Sequence, residues 1–497
     1  MSDLSYTPLE QIPKIHATLK KTFNSQTTLP LQYRKNQLYQ LARLVRDNKD
    51  AFVDALHKDL GKQKLEVVLQ EVNSSVAMCI DSADNLEEWA KPEKPKVEPH
   101  KEHWNITVNR VPKGAALIIS PWNYPLILTV QPLIGAIAAG CTAAVKTSEY
   151  TPTVSKLFAD LFPKYLDANA YIIVNGAIPE VTTLLQLQWD HIFYTGNGKV
   201  ARIISAAAAK HLTPLTLELG GQCPVIIDPS YDIKLAAKRI LWGKVQNSGQ
   251  LCVTPNHVLV TRDKQEELIE ALKEVNKEFY PNGALHSSST FGRIVNPGHF
   301  RRLKALLERT KGNIVFGGRF EGERGIEPTV VRDVPHVDSL LEEELFGPIL
   351  PLVPVDSIDE AIQWINNHPH PLALYTFTED EELKQKVLEK TNSGSLIFND
   401  CVTQVAVHEA PFGGHGESGH GYQFSYYTFQ TFSHFRSSLD MPKAAEPHLG
   451  FRYPPYTDEV IKGLEERLAA IPIPEVTSQN GNGHSNGYAN GHSNGHA

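Results

Sequence analysis

Ala115-Ala116-Leu117-Ile118-Ile119-Ser120-Pro121-Trp122-Asn123-Tyr124-Pro125 is the stretch on which the fold turns. The apolar run reads as a strand, and the two prolines that follow it hold the Asn123 amide in a fixed loop at the strand's carboxyl end. That is where ligands bind in open α/β sheets. Downstream, the apolar runs 142–146, 170–174, 191–195 and 215–219 alternate with helical stretches. Such alternation predicts a doubly wound parallel sheet, with a dinucleotide as the expected ligand.

A second α/β pattern follows over 220–395, with strands at 224–228 and 257–261. Before the first sheet, residues 15–90 show helical periodicity (Leu38, Leu41, Leu44, Val45) until Pro92, Pro95 and Pro99 break it. The apolar segment 126–145 contains Gln131, Pro132, Gly135 and Gly140, so a buried helix followed by a strand fits it better than a membrane span.

Two small-residue settings carry the candidate chemistry. Leu217-Glu218-Leu219-Gly220-Gly221 puts a carboxylate beside two glycines, where another backbone or a ligand can approach closely. Asn247-Ser248-Gly249-Gln250-Leu251-Cys252 leaves a thiol uncovered enough for attack. Together they suggest a base and a nucleophile, although a lone cysteine is more often an inert core residue. The usual Gly-x-Gly-x-x-Gly fingerprint is missing after the first strand. Its nearest counterpart, Gly196-Asn197-Gly198-Lys199-Val200-Ala201, opens a helix after the fourth strand and is weak on spacing alone.

A chain of 497 residues predicts two or three domains. The net charge of −8 and the lack of a basic stripe argue against nucleic acid as a partner. Five scattered cysteines (Cys79, Cys141, Cys223, Cys252, Cys401) suggest neither a disulfide framework nor a zinc site, and no metal is expected. No secretory signal is visible at the N-terminus, so a reducing, cytoplasmic compartment is expected. The repeat Asn-Gly-His-Ser-Asn-Gly at 482–487 and 490–495 predicts a disordered tail over 478–497.

The motifs Ser120-Pro121-Trp122-Asn123-Tyr124-Pro125, Lys146-Thr147-Ser148-Glu149, Tyr194-Thr195-Gly196-Asn197, Glu344-Leu345-Phe346-Gly347-Pro348 and Pro411-Phe412-Gly413-Gly414 stand in order with the Glu218 and Cys252 settings. In this the chain resembles the aldehyde dehydrogenase superfamily from about residue 10 to about residue 456. Phe432-Ser433-His434 and Arg452-Tyr453-Pro454-Pro455 make it look like the class 3 and fatty aldehyde branch. It departs from the fatty aldehyde pattern in its polar end. Gln222-Cys223 and Leu251 also stand where other residues are common, and Cys223 reads as packed rather than catalytic.

The resemblance implies two doubly wound parallel-sheet domains and a small β oligomerisation element. It divides the chain into a cofactor domain (1–91 and 108–216), a catalytic domain (217–395), an oligomerisation element (92–107 and 396–440) and a C-terminal helix region (441–477). It implies that Cys252 attacks an aldehyde, that Asn123 holds the oxyanion and that Glu218 activates water. Trp122, Lys146, Glu149, Thr195, Gly196, Asn197, Glu344 and Phe346 would contact NAD, with NADP also possible. Medium- or long-chain aldehydes or apocarotenals are the implied substrates, and a homodimer without a transmembrane anchor is the implied assembly. A CoA-acylating or reductive relative, or an inactive protein on the same fold, is the alternative. At 457–470 an apolar stripe (Val460, Ile461, Leu464, Leu468) must cover something, either a substrate entrance or the chain's own surface.

Overall fold

The computed structural model describes residues 4–474 apart from residue 288. The expected disordered tail lies outside the described residues. The chain divides into two compact units, one built from residues up to Pro95 together with Thr107–Ser437, the other from Lys96–Ile106 and the residues after Ser437.

The first unit contains two large sheets. In the first, the strand order is Gly419–His420, Leu215–Glu218, His191–Thr195, Ala115–Ile119, Thr142–Lys146, Tyr171–Val174, and all are parallel except the Gly419–His420 edge. Chain order runs outward from Ala115–Ile119 to Tyr171–Val174, then crosses back to His191–Thr195 on the other side. The switch point of this doubly wound sheet therefore lies between Ala115–Ile119 and His191–Thr195. In register, Ile119 stands opposite both Lys146 and Tyr194, and Thr195 opposite Glu218. Ser120, Lys146, Thr195 and Glu218 thus share one rim.

The strand quoted from the sequence shows why the sheet is covered on both faces. Every residue of Ala115–Ile119 is buried. Ala116 and Ile118 enter a core made with helices Leu31–Asp47, Ile127–Ala139 and Pro152–Tyr165, whereas Ala115, Leu117 and Ile119 enter the core on the opposite face. Alternate side chains feed opposite layers.

The second sheet runs Ser395–Phe398, Ala373–Phe377, Pro224–Ile227, His257–Thr261, Ile349–Val355, Thr329–Arg332, Asn313–Phe316, with only the last strand antiparallel. Both expected parallel-sheet layers are present. Glu218 belongs to the first sheet, although it lies beyond the expected end of the cofactor domain.

The apolar segment after Pro125 is the helix Ile127–Ala139 followed by the strand Thr142–Lys146, as expected. No helix among the described residues is long and apolar enough to cross a membrane. Residues 396–440, expected to belong to a small β element, hold the end of the strand Ser395–Phe398, 3₁₀ turns, the short strand Gly419–His420 and the helix Ser425–Thr431 before the strand Ser433–Ser438. Within that helix, Phe429 and Tyr426 pack on Trp89 as a helix face. The strand Ser433–Ser438 pairs with Thr107–Pro112 in a two-stranded sheet.

In the second unit, Asp458–Ala469 is the expected C-terminal helix, capped by the Thr457 hydroxyl on Val460 N–H. Its stripe residues Ile461, Leu464 and Leu468 are exposed.

Candidate active site

The nucleophile loop is built from unusual backbone. After the helix Ile233–Val245, Asn247, Ser248 and Gly249 take φ values of 47°, 55° and 74°, three left-handed residues in succession. A β-carbon at Gly249 would lie 2.3 Å from the Gly347 carbonyl oxygen, so only glycine fits this crossing. Strain of this kind persists only where its surroundings over-determine it. Here the Gln250 side chain does so. Its amide nitrogen donates to Asn247 O (2.9 Å) and Arg293 O (3.1 Å), and its Oε1 accepts from Val295 N (2.8 Å).

The same loop is tied to the loop after Ala115–Ile119. Asn247 Nδ2 donates to the Asn123 carbonyl at 2.8 Å and to Gln250 O at 3.1 Å, while Asn123 Nδ2 also donates to Gln250 O at 3.1 Å. Two segments from different sheets therefore meet at the carbonyl two residues before Cys252. One N–H of the buried Asn123 amide is fixed by that carbonyl, leaving the other as a donor.

Cys252 is partly accessible, whereas Cys79, Cys141, Cys223 and Cys401 are buried. Dense surroundings push its thiol well above the ordinary range, and the neighbouring Glu344, Cys223 and Glu218 push it further. Cys223 lies behind it and donates its S–H to the Cys252 carbonyl at 3.3 Å, which accounts for its packed role.

Glu218 ends its strand fully enclosed, and neither carboxylate oxygen has a hydrogen-bond partner. Burial raises its pKa well above the ordinary carboxyl value. Such burial disfavours the charged form and makes the carboxylate a stronger base once ionised. Glu344 lies against Gly220, where a β-carbon would stand 2.3 Å from its Oε1. Burial raises Glu344 to about 8, opposed by the Gly221 N–H and the charges of Arg302 and Lys244. Lys244 is buried with its ammonium on Pro255 O at 3.0 Å, and burial lowers it to about 7.

The switch-point crevice has the chemistry of a dinucleotide site. Lys146 and Glu149 pair at 2.5 Å on its rim. Asn197 caps the helix Gly198–Ala209 through Val200 N–H, directing a helix N-terminus to the same end of the sheet. The hydroxyls of Ser120 and Thr195 and Glu344 Oε1 are buried without partners. Unpaired polar atoms of this kind call for a ligand or water. Trp122 and Phe346 meet edge to face at 5.2 Å, with Phe346 itself left-handed at φ 49°.

The sequence-derived residues thus fall into two neighbouring groups, Cys252, Glu218 and Asn123 in one, and Trp122, Lys146, Glu149, Thr195, Gly196, Asn197, Glu344 and Phe346 in the other. Missed from sequence were Gln250 and Asn247, which were quoted as frame but given no role, and Lys244. A second missed group is Lys62, Glu66, Gln70 and Glu71. Their segment read as ordinary helix, and nothing in its periodicity marks the π-helical turn Val68–Asn73.

Comparison with known proteins identifies the family. Residues 2–437 match the aldehyde dehydrogenase family. The chain is 40% identical over 448 residues to the dimeric NADP-preferring aldehyde dehydrogenase of Canis lupus familiaris, covering 90% of this chain and 98% of that one. It is 42% identical over 453 residues to the beta-apo-4'-carotenal oxygenase of Neurospora crassa, covering 90% and 85%. Among solved structures, the substrate-bound state of Staphylococcus aureus AldH superposes with a TM-score of 0.88 at 38% identity, covering 92% of this chain and 99% of that one.

Proposed function

Since the chain belongs to the aldehyde dehydrogenase family and is an NAD(P)-dependent enzyme of that class, we propose that Cys252 is its nucleophile, Asn123 its oxyanion donor and Glu218 its base. The observation that carries this is Glu218, a buried carboxyl with no protein partner whose field is felt at the only partly accessible cysteine. A carboxyl is not left unsatisfied without cost. Water or substrate is the missing partner.

In this reading the Cys252 thiol gives its proton to ionised Glu218, which passes it to solvent, and the sulfur attacks the aldehyde carbon, so that the carbonyl oxygen becomes an oxyanion. The free N–H of Asn123 and the Cys252 backbone N–H hold that charge; one such donor is typically worth ~10²–10³ in rate. A bound nicotinamide would supply the hydride acceptor, and Cys252 would then carry the acyl group as a thioester. Ionised Glu218 then takes a proton from water, whose oxygen attacks the thioester, and the carboxylic acid leaves as the thiol reforms.

Lys146 and Glu149 would hold the adenosine ribose, Thr195, Gly196 and Asn197 the cofactor cleft, and Trp122, Glu344 and Phe346 the nicotinamide end. Glu149 suits a ribose 2′-hydroxyl and opposes a 2′-phosphate, favouring NAD over NADP.

The substrate we infer is an apolar aldehyde of medium or long chain, or an apocarotenal. Ile127 and Leu128 are half-buried beside the same core as Cys252, and the Neurospora crassa relative carries an apocarotenal name. Two copies would pair through the ribbon Thr107–Pro112 and Ser433–Ser438, since a two-stranded sheet is marginal alone and Phe435 on it is exposed. Scattered free thiols fit a reducing, cytoplasmic setting. A panel of aldehydes of increasing chain length, assayed by NADH and NADPH formation, tests the substrate. Catalytic efficiency should rise from acetaldehyde to long chains and apocarotenals, and preference for acetaldehyde would reject it.

A further inference from the structure

Two carboxylates on one helical segment reach the two loops that meet at the nucleophile. Glu66 Oε1 accepts the Asn247 N–H at 2.8 Å, at the first left-handed residue of the nucleophile loop. Glu71 Oε2 accepts Leu126 N–H at 2.9 Å and Ile127 N–H at 3.3 Å, just after Asn123 and Tyr124. Gln70 bridges the same two loops, accepting from Tyr124 Oη at 2.9 Å and donating to Gln246 Oε1 at 2.5 Å.

The backbone changes between the two carboxylates. Glu66 lies in the α turn Lys64–Val67, and residues Val68–Asn73, Glu71 among them, form a π-helical turn with i→i+5 bonding. Single π turns cluster at functional sites. Lys62 completes the arrangement. Its ammonium pairs with Glu71 at 2.6 Å, both groups fully enclosed, and sits 3.4 Å from the Tyr124 ring centre. A fully buried ion pair is a poor source of stability, because desolvation offsets its attraction. It does fix geometry, since neither partner can move without stranding the other.

We propose that Glu66 and Glu71 are positioning residues that hold the Asn123 loop and the Cys252 loop in register, so that the Asn123 amide and the Cys252 N–H converge on one oxyanion. The inference rests on the roles of Asn123 and Cys252 given above. Neither carboxylate needs to touch substrate. Glu66 sets where the nucleophile loop begins its left-handed course, and Glu71 sets where the Asn123 loop enters the helix Ile127–Ala139.

The test is a double-mutant cycle in the full-length enzyme. Glu66→Ala should lower kcat/KM for a good aldehyde by about 10- to 100-fold, less than the ~10²–10³-fold loss expected for Asn123→Ala. The double variant should be no slower than Asn123→Ala alone by more than about threefold, because residues acting as one unit are not additive. Glu66→Gln, which keeps an acceptor for the Asn247 N–H, should restore most of the rate. Alkylation of Cys252 by iodoacetamide forms no oxyanion, and its rate should stay within about twofold of wild type in Glu66→Ala.

Additive losses, a proportional loss of alkylation, or unchanged turnover in folded Glu66→Ala would overturn the proposal. Wild-type turnover in Asn123→Ala would instead overturn the oxyanion assignment on which it rests. Should Glu66→Ala fold poorly, Glu66→Asp, which draws the acceptor back from the Asn247 N–H by one methylene, enters the same cycle with Asn123→Ala and the same expected outcomes.

Discussion

In the loop Asn247–Cys252, three successive residues are left-handed and the side chains of Gln250, Asn247 and Glu66 bond its backbone from several directions. At the turn after His191–Thr195, by contrast, Asn197 makes an ordinary helix cap, and the buried Thr195 hydroxyl has no partner. In the first region the protein itself bonds the loop's backbone, while Asn247 Oδ1 and Ser248 Oγ stay unpaired; in the second the Thr195 hydroxyl is left for something else to bond. Reacting atoms must be held before substrate arrives, whereas a cofactor brings its own hydrogen-bonding groups. The run of left-handed backbone is therefore concentrated in the Cys252 loop, whereas unpaired polar atoms occur in both regions.

The largest effect should come from removing the reacting atom. Cys252→Ala is expected to abolish aldehyde oxidation to the detection limit while NAD still binds by fluorescence titration, because the crevice is made by other residues. Substantial residual turnover would break the division between the two regions.

The thiol's environment gives the next effect. Burial first, then Glu344, Cys223 and Glu218, favour the protonated form. Raising pH should then increase the thiolate fraction, and alkylation of the cofactor-free enzyme by iodoacetamide should climb about tenfold per pH unit up to at least pH ~9. A plateau near neutrality would mean that the free protein already stores a thiolate.

A pair of smaller changes sharpens the contrast directly. Gln250→Ala leaves the Val295 N–H unsatisfied and should cost about 1–3 kcal/mol in urea unfolding. Thr195→Val removes a hydroxyl that bonds nothing, so stability should hold or rise slightly, while the Kd for NAD weakens a few-fold. If both variants lost stability equally, the two regions would not differ in kind.

Much of this was legible in the amino-acid sequence because apolar runs report burial. The strands at Ala115–Ile119, Thr142–Lys146 and His191–Thr195 coincide with the expected runs, and the order of motifs carried the candidate residues. Residues 396–440 were less legible, because Tyr426 and Phe429 are good strand formers that tertiary packing against Trp89 holds in a helix. The roles of Glu66, Glu71 and Lys62 were not legible at all. Their partners lie about 55 to 180 positions away in sequence, except for the Lys62–Glu71 pair, and local pattern does not encode such contacts. Gln250 stood inside a recognised motif, yet its three bonds depend on how Asn247, Arg293 and Val295 come together.

The central claim is that Cys252 carries the acyl group and Glu218 the water that removes it. Glu218→Gln keeps the shape of the site and removes the base. Mixed rapidly with aldehyde and NAD, it should show a burst of NADH of about one per active site, followed by slow turnover, with intact and peptide mass spectrometry finding the acyl group on Cys252. A wild-type steady-state rate with no adduct, or an adduct on another residue, would contradict the account.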